Sequence, residues 1–137
     1  MLSGMAHIHQ KGVCHRDFKL ENILLSADFT IKIADFGFSA AIEGRQGNGL
    51  RDTILGTPGY MAPEIVEARQ YSGRSVDIYA LGVILFAMVT KAMPFRGIRA
   101  GDLSGRTLLQ VDPLYQLFNV DKTTFWNRFP QVSDELR

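Results

Sequence analysis

A mainly α-helical fold with one small β-hairpin is what this sequence predicts, and three observations carry it. Val76 to Val89 is apolar on nearly every side, the pattern of a core helix surrounded by protein. Met1 to Lys11 places Leu2, Met5 and Ile8 at i, i+3 spacing, the stripe of a second helix. Between them, Ile23 to Leu25 and Thr30 to Ala34 are short β-rich runs around Ser26-Ala27-Asp28-Phe29, which reads as a hairpin.

The composition narrows the classes of function before any motif is considered. With 46% hydrophobic and 21% charged residues, the 137-residue chain has the balance of a globular domain with a core. Its 15 Lys+Arg against 14 Asp+Glu leave a net charge of +1, which gives no basic footprint for nucleic acid. Met1 to Lys11 lacks the basic start and continuous apolar run of a signal peptide. The apolar run Ile78 to Val89 falls short of the ~20 residues that span a bilayer, so no membrane span is expected. The single cysteine, Cys14, has no internal partner and reads as a small buried residue in a reducing compartment. His7 and His9 are two apart in a helical stretch and point to different faces, which argues against a metal site with His15.

In chain order, the first helix stops at Gly12, and the polar stretch His15 to Asn22 follows between apolar flanks. The hairpin comes next, with Ile31 and Ile33 alternating with Lys32 to give it one buried face. It ends in Asp35-Phe36-Gly37 and folds the chain back, so that Asp17 and Asp35 come close in space. Phe38 to Thr57 is Gly-bearing and weakly periodic, a mobile loop. The prolines and glycines of Gly56 to Glu64 forbid a helix until about Glu64. After the core helix, Leu114, Leu117 and Phe118 form one helical face, and Phe125, Trp126 and Phe129 an apolar cluster. Ser133 with Asp134 and Glu135 reads as a helix start close to the last residue, Arg137. A helix cut at each end leads to the expectation of a fragment of a larger domain.

Asp17, Asn22 and Asp35, with the cation Lys19, form a hard-oxygen set suited to Mg²⁺ and phosphate rather than to zinc. The ordered set His15-Arg16-Asp17 with Lys19 and Asn22, then Asp35-Phe36-Gly37, then Ala62-Pro63-Glu64 resembles the eukaryotic protein kinases. Lys19 two residues after Asp17, and Thr57 in Gly56-Thr57-Pro58-Gly59-Tyr60, resemble the serine/threonine kinases. Within them the chain resembles the calcium/calmodulin-dependent or AMP-activated-like group.

That resemblance implies a kinase-like large, C-terminal lobe, mainly α-helical with a small hairpin, and no N-terminal lobe. Residues 1–137 would be a partial kinase domain with a catalytic loop at 15–22, an activation segment at 35–64 and a core helix at about 76–90. Asp17 and Lys19 would be catalytic, the first accepting the proton of the substrate hydroxyl and the second neutralising charge on the transferred phosphoryl group. Asn22 and Asp35 would hold the Mg²⁺ ions that bridge the phosphates of ATP, and Leu24, with Ile84 and Met88, would lie under the adenine. Thr57 and Glu21 would position the substrate, Glu21 by reading basic residues. Thr53 would be the phosphorylated activation-loop residue and Arg16 its partner. His15, Phe36, Gly37, Glu64 and Asp77 would be structural, Asp77 by bonding the backbone of the His15-Arg16 loop.

The implied partners are a protein or peptide bearing Ser or Thr and an upstream activating kinase, and the implied location is the cytoplasm, with the nucleus left open. The sequence contains no Gly-rich phosphate loop, no Val-Ala-Ile-Lys lysine and no arginine late in the lobe to pair with Glu64. Two alternatives follow from this. The chain is part of an active serine/threonine kinase, or it is a catalytically silent large-lobe fragment that binds other proteins.

Overall fold

A computed structural model describes residues 1–44 and 46–136 of the chain. The first helix, α1 (Leu2–Gln10), stops where Gly12 takes φ +75 and donates its N–H to His9 O at 3.1 Å. The hairpin pairs β2 (Ile23–Leu25) with β3 (Ile31–Ile33) in antiparallel register, Ile23 opposite Ile33, while β1 (Val13–Cys14) pairs with β4 (Ala40–Ala41). Further on, β5 (Leu50–Arg51) pairs with β6 (Tyr71–Ser72), so the loop after the hairpin is tied down at both ends. The helices that follow are α2 (Pro63–Val66), α3 (Gly73–Thr90), α4 (Leu108–Val111), α5 (Pro113–Val120) and α6 (Lys122–Asn127).

Helix α3 is the hub. Its Ala80, Leu81 and Ile84 bury against Met5 of α1 and Phe18 of the polar loop, with Ile23 and Ile33 of the hairpin packed on the same cluster. Each fully buried side chain of this size contributes about 1.5–3 kcal/mol, which is why the hairpin and the polar loop share one support. Val76 joins Ala62, Ile65 and Tyr71 in a second cluster, so α3 also carries the segment that leads into α2. At its far end Phe86 meets Phe125, Trp126 and Phe129 at ring distances of 6.3, 6.1 and 4.7 Å, and this seats α6. The carboxylates of Asp112 and Asp121 cap α5 and α6 by accepting backbone N–H groups.

The structure departs from the sequence expectations at several places. Helix α3 starts at Gly73 rather than near Val76, because its first turn is built from Gly73, Arg74 and Ser75, residues without an apolar signature. By length and composition α3 could cross a membrane, with mean hydropathy 1.4 over 18 residues, yet its inward side is packed within the fold. That packing is one-sided. Ile78 is 55% exposed, Leu85 49% and Met88 47%, and with Met1, Leu2, Leu81 and Gly82 the first two line an open groove of about 370 Å³. In the hairpin the paired Ile23 and Ile33 reach the core, while Ile31 and Leu24 stay exposed. The stretch Phe38 to Thr57 gains order from the backbone pairing of β4 and β5, which two-residue strands do not announce in sequence.

Candidate active site

The site is built outward from Asp77. This fully buried carboxylate accepts the His15 N–H at 2.8 Å on Oδ2 and the Arg16 N–H at 2.7 Å on Oδ1, and His9 Nε2 lies 2.8 Å from Oδ2. Arg16 is thereby held at φ +68, a left-handed conformation that costs a side-chain-bearing residue about 1–2 kcal/mol. The bonds from Asp77 offset that cost, and the resulting turn aims the next residue, Asp17, across to the Thr57 segment.

Asp17 is buried, and its carboxylate belongs to a closed triangle. Thr57 Oγ1 donates to Asp17 Oδ1 at 2.7 Å, Lys19 Nζ pairs with Asp17 Oδ2 at 2.9 Å, and Lys19 Nζ donates to Thr57 Oγ1 at 2.9 Å. The bond to Asp17 holds the Lys19 ammonium above the usual lysine range, with further help from the charges of Asp17, Glu21 and Asp35. Burial lowers it only in part, so Lys19 stays a cation. Asn22 Nδ2 donates to Asp17 O at 3.0 Å, and Asn22 O accepts the Ala34 N–H at 2.9 Å, which ties the loop to the last turn before Asp35.

His15 fastens Asp35-Phe36-Gly37 to the same loop. Its Nδ1 accepts the Asp17 N–H at 3.3 Å, so the proton is assigned to Nε2, which donates to Ala34 O at 3.0 Å. Its ring also lies 4.6 Å from that of Phe18 and 5.0 Å from that of Phe36. Asp35 takes φ +60 and is exposed; its Oδ1 accepts the Gly37 N–H at 3.1 Å, leaving Oδ2 open to solvent. With Asn22 Nδ2 committed inward, the amide oxygen of Asn22 and the Asp35 carboxylate are the hard donors at this edge, a type that suits Mg²⁺. No cluster of three or more His, Cys, Asp or Glu gathers among the described residues, so a cation here would complete its shell with water or phosphate oxygens.

The profile of the protein kinase domain matches residues 1–137, the whole chain. The chain belongs to the protein kinase family. Among its relatives, CBL-interacting protein kinase 28 of Oryza sativa subsp. japonica is 46% identical over 95 residues, which are 69% of this chain and 22% of the relative. CBL-interacting protein kinase 26 of the same organism is 45% identical over 95 residues, 69% of this chain and 19% of the relative. Serine/threonine-protein kinase pakA of Talaromyces marneffei is 50% identical over 94 residues, 69% of this chain and 14% of the relative. The matched segment thus spans about a fifth or less of the length of these curated relatives. Of these three, pakA is by name a serine/threonine-protein kinase.

The kinase motifs are not all drawn together. Asp17, Lys19, Asn22 and Thr57 form one bonded group, with Asp35 within electrostatic reach of Lys19. Glu21 is exposed in the 3₁₀ turn Leu20–Asn22. Arg16 Nε donates to Phe38 O at 2.7 Å, and among the described residues no bond joins it to Thr53, whose side chain is exposed. Leu24 is half-exposed and Met88 nearly so, whereas Ile84 is fully buried, so only Ile84 of the three is core. Glu64 is half-buried without an ion pair among the described residues, and its oxygens are not orphaned inside the protein, so the absence of a pairing arginine leaves no buried unsatisfied carboxylate here.

Three supporting residues lie outside the motif pattern. His9 reaches Asp77 from 68 positions away; Tyr71 donates its hydroxyl to Thr53 O at 2.7 Å; and the Arg51 guanidinium donates to Ala41 O, linking β5 to β4. No local signal marks them, since each acts on a backbone or buried group far along the chain.

Proposed function

We propose that this chain is the substrate-binding and proton-accepting part of a serine/threonine protein kinase, which transfers a phosphoryl group from ATP to a Ser or Thr hydroxyl of a protein. The observation that carries this is the Thr57 hydroxyl donating to Asp17 Oδ1 beside the Lys19 ammonium. An alcohol O–H already donates to that carboxylate, and a substrate hydroxyl would use the same acceptor through a free lone pair. Lys19 would stabilise negative charge growing on the transferred group, and Thr57 would hold Asp17 and Lys19 in register. Asn22 and Asp35 would hold Mg²⁺, which with bound ATP supplies the phosphoryl group and the neutralising charge.

The Gly-rich loop and its partner lysine do not occur in these 137 residues. In this reading they belong to a small lobe outside this sequence, and residues 1–137 alone are inactive. Thr53 is the regulatory site. A phosphate there would add about −2 charge beside Tyr71 and draw Arg16 away from Phe38 O, ordering residues 35–64. Glu21, exposed next to Lys19, would favour substrates with basic residues.

A second reading, a silent protein-binding fragment, has the open apolar groove along α3 in its favour. The full-length polypeptide, purified and given ATP and Mg²⁺, decides between them. The enzyme reading expects phosphorylation of a Ser/Thr peptide, none of a Tyr peptide, and loss of at least ~10³-fold of the rate in Asp17→Asn. A full rate in Asp17→Asn would overturn it.

A further inference from the structure

The segment that carries Thr57 has little of its own to fix it. Gly56 takes φ +123 and Gly59 φ +93, conformations open to glycine, and the local turn is closed by one bond, Tyr60 N–H to Thr57 O at 3.1 Å. Tyr60 and Met61 pack on the core, and on its other side the segment rests on the chain after α3. A Cβ placed on Gly97 would lie 3.3 Å from Pro58 C and 3.4 Å from Pro58 O and Gly59 N, so two backbones touch with no side chain between them. A Cβ on Gly59 would meet Met93 Cε at 3.1 Å, which makes Met93 to Gly97 the wall behind this turn.

That wall is itself held by one buried carboxylate. Asp112 Oδ2 accepts the Arg96 N–H at 2.6 Å, while Oδ1 accepts the N–H groups of Leu114 and Tyr115 at 2.9 and 3.1 Å. The Phe95 ring packs on Tyr115 at 5.2 Å and on Phe118 at 5.8 Å, so the same region is fixed from its apolar side. Capping α5 needs only Oδ1. The bond from Oδ2 does something else: it sets where Arg96, and therefore Gly97, lies.

We propose that Asp112 and Gly97 are positioning residues for phosphoryl transfer, which brace the Pro58-Gly59 backbone and through it keep the Thr57 hydroxyl on Asp17. This rests on the reading of Asp17 as the proton acceptor. Neither residue touches substrate, and both act through Thr57.

Hydrogen exchange on the chain, with Gly97→Ala and Asp112→Asn, tests the brace without any need for activity. Gly97→Ala sets a methyl group 3.3–3.4 Å from Pro58 and Gly59 backbone atoms, which must give way by a few tenths of an ångström, and Asp112→Asn keeps an oxygen for Leu114 and Tyr115 while losing the acceptor for Arg96. Both variants are expected to speed exchange at Tyr60 by about tenfold while α3 is unchanged. In the full-length kinase both lower kcat for a Ser/Thr peptide and leave KM for ATP unaltered. Unaltered Tyr60 exchange in both variants overturns the proposal, and a rise confined to Gly97→Ala removes Asp112 from it. Faster exchange only at Leu114 and Tyr115 in Asp112→Asn reduces Asp112 to a helix cap. If Asp112→Asn unfolds, Gly97→Ala, which leaves the carboxylate intact, decides for the brace. A full-length wild-type protein without kinase activity refutes the proposed function instead, while the exchange result still stands or falls alone.

Discussion

Replacing Asp77 by Ala is expected to be the most damaging single change to the fold. The substitution removes the acceptor for His9, His15 and Arg16 together, at distances of 2.8, 2.8 and 2.7 Å, from a fully buried position. Hydrogen bonds to a charged group contribute about 1.5–3 kcal/mol each, but three that share one carboxylate do not add in full. The His15 N–H is then buried without a partner, and the left-handed Arg16 keeps its cost of about 1–2 kcal/mol with nothing to offset it. The sum is about 4 kcal/mol, within the usual 3–5 kcal/mol for breaking a buried charged network. With a urea m-value of about 2 kcal/mol/M, the midpoint of unfolding falls by roughly 2 M. Asp77→Asn, which keeps one oxygen, falls about half as far, and His9→Ala, which leaves both backbone bonds, costs about 1–2 kcal/mol. A midpoint shift below about 0.5 M in Asp77→Ala would refute the idea that this carboxylate holds the loop.

Three further outcomes are expected. Burial, and to a lesser degree the charge of Asp77, push the Cys14 thiol above its ordinary value of 9.0, so on raising the pH the unfolded chain loses this proton first. The folded state then binds more protons than the unfolded one, and stability falls as pH rises above 9.0; the drop in urea midpoint from about pH 8 to about pH 10 should be larger in wild type than in Cys14→Ala, where the raised Tyr79, Tyr115 and Lys19 leave a smaller one. Lys91 closes α3 at φ +58 and is exposed, so Lys91→Gly should raise the melting temperature by a few degrees, about 1 kcal/mol, as read by calorimetry. In the full-length kinase, Thr57→Val, which removes the hydroxyl between Lys19 and Asp17, should lower kcat about 10²-fold, whereas Thr57→Ser should stay within about threefold.

What was legible in the sequence follows from the range of each interaction. The i, i+3 stripe of Leu2, Met5 and Ile8 exposes α1 because a helix writes its buried face into neighbouring residues, and Met5 and Ile8 do face the core. The hairpin was legible through its β-rich runs, and α5 through Leu114 and Phe118. The first turn of α3 was not, since Gly73 is a poor helix former and none of Gly73, Arg74 and Ser75 carries an apolar signature, so their state is set by the packing of Val76 and beyond. Strands of two residues such as β4 and β5 are too short for alternation to be seen, and their order comes from partners on β1 and β6. In the site, residue types and spacing bring out Asp17, Lys19 and Asn22, but the bond from Thr57 to Asp17 spans 40 positions and the pairing of His9 with Asp77 spans 68. Exposure of Leu24 and Met88 was also hidden, because an apolar side chain does not record which of its neighbours is present.

The dependence of the His15-Arg16 turn on Asp77 also orders events during synthesis. The turn leaves the ribosome before its support, because the carboxylate that holds it lies 62 residues later along the chain. At ~5–20 residues per second the ribosome needs roughly 3–12 s to make that stretch. During that interval Arg16 has no reason to stay left-handed, and Asp17 has no fixed direction. The loop that names the chemistry therefore takes shape only when α3 closes over it.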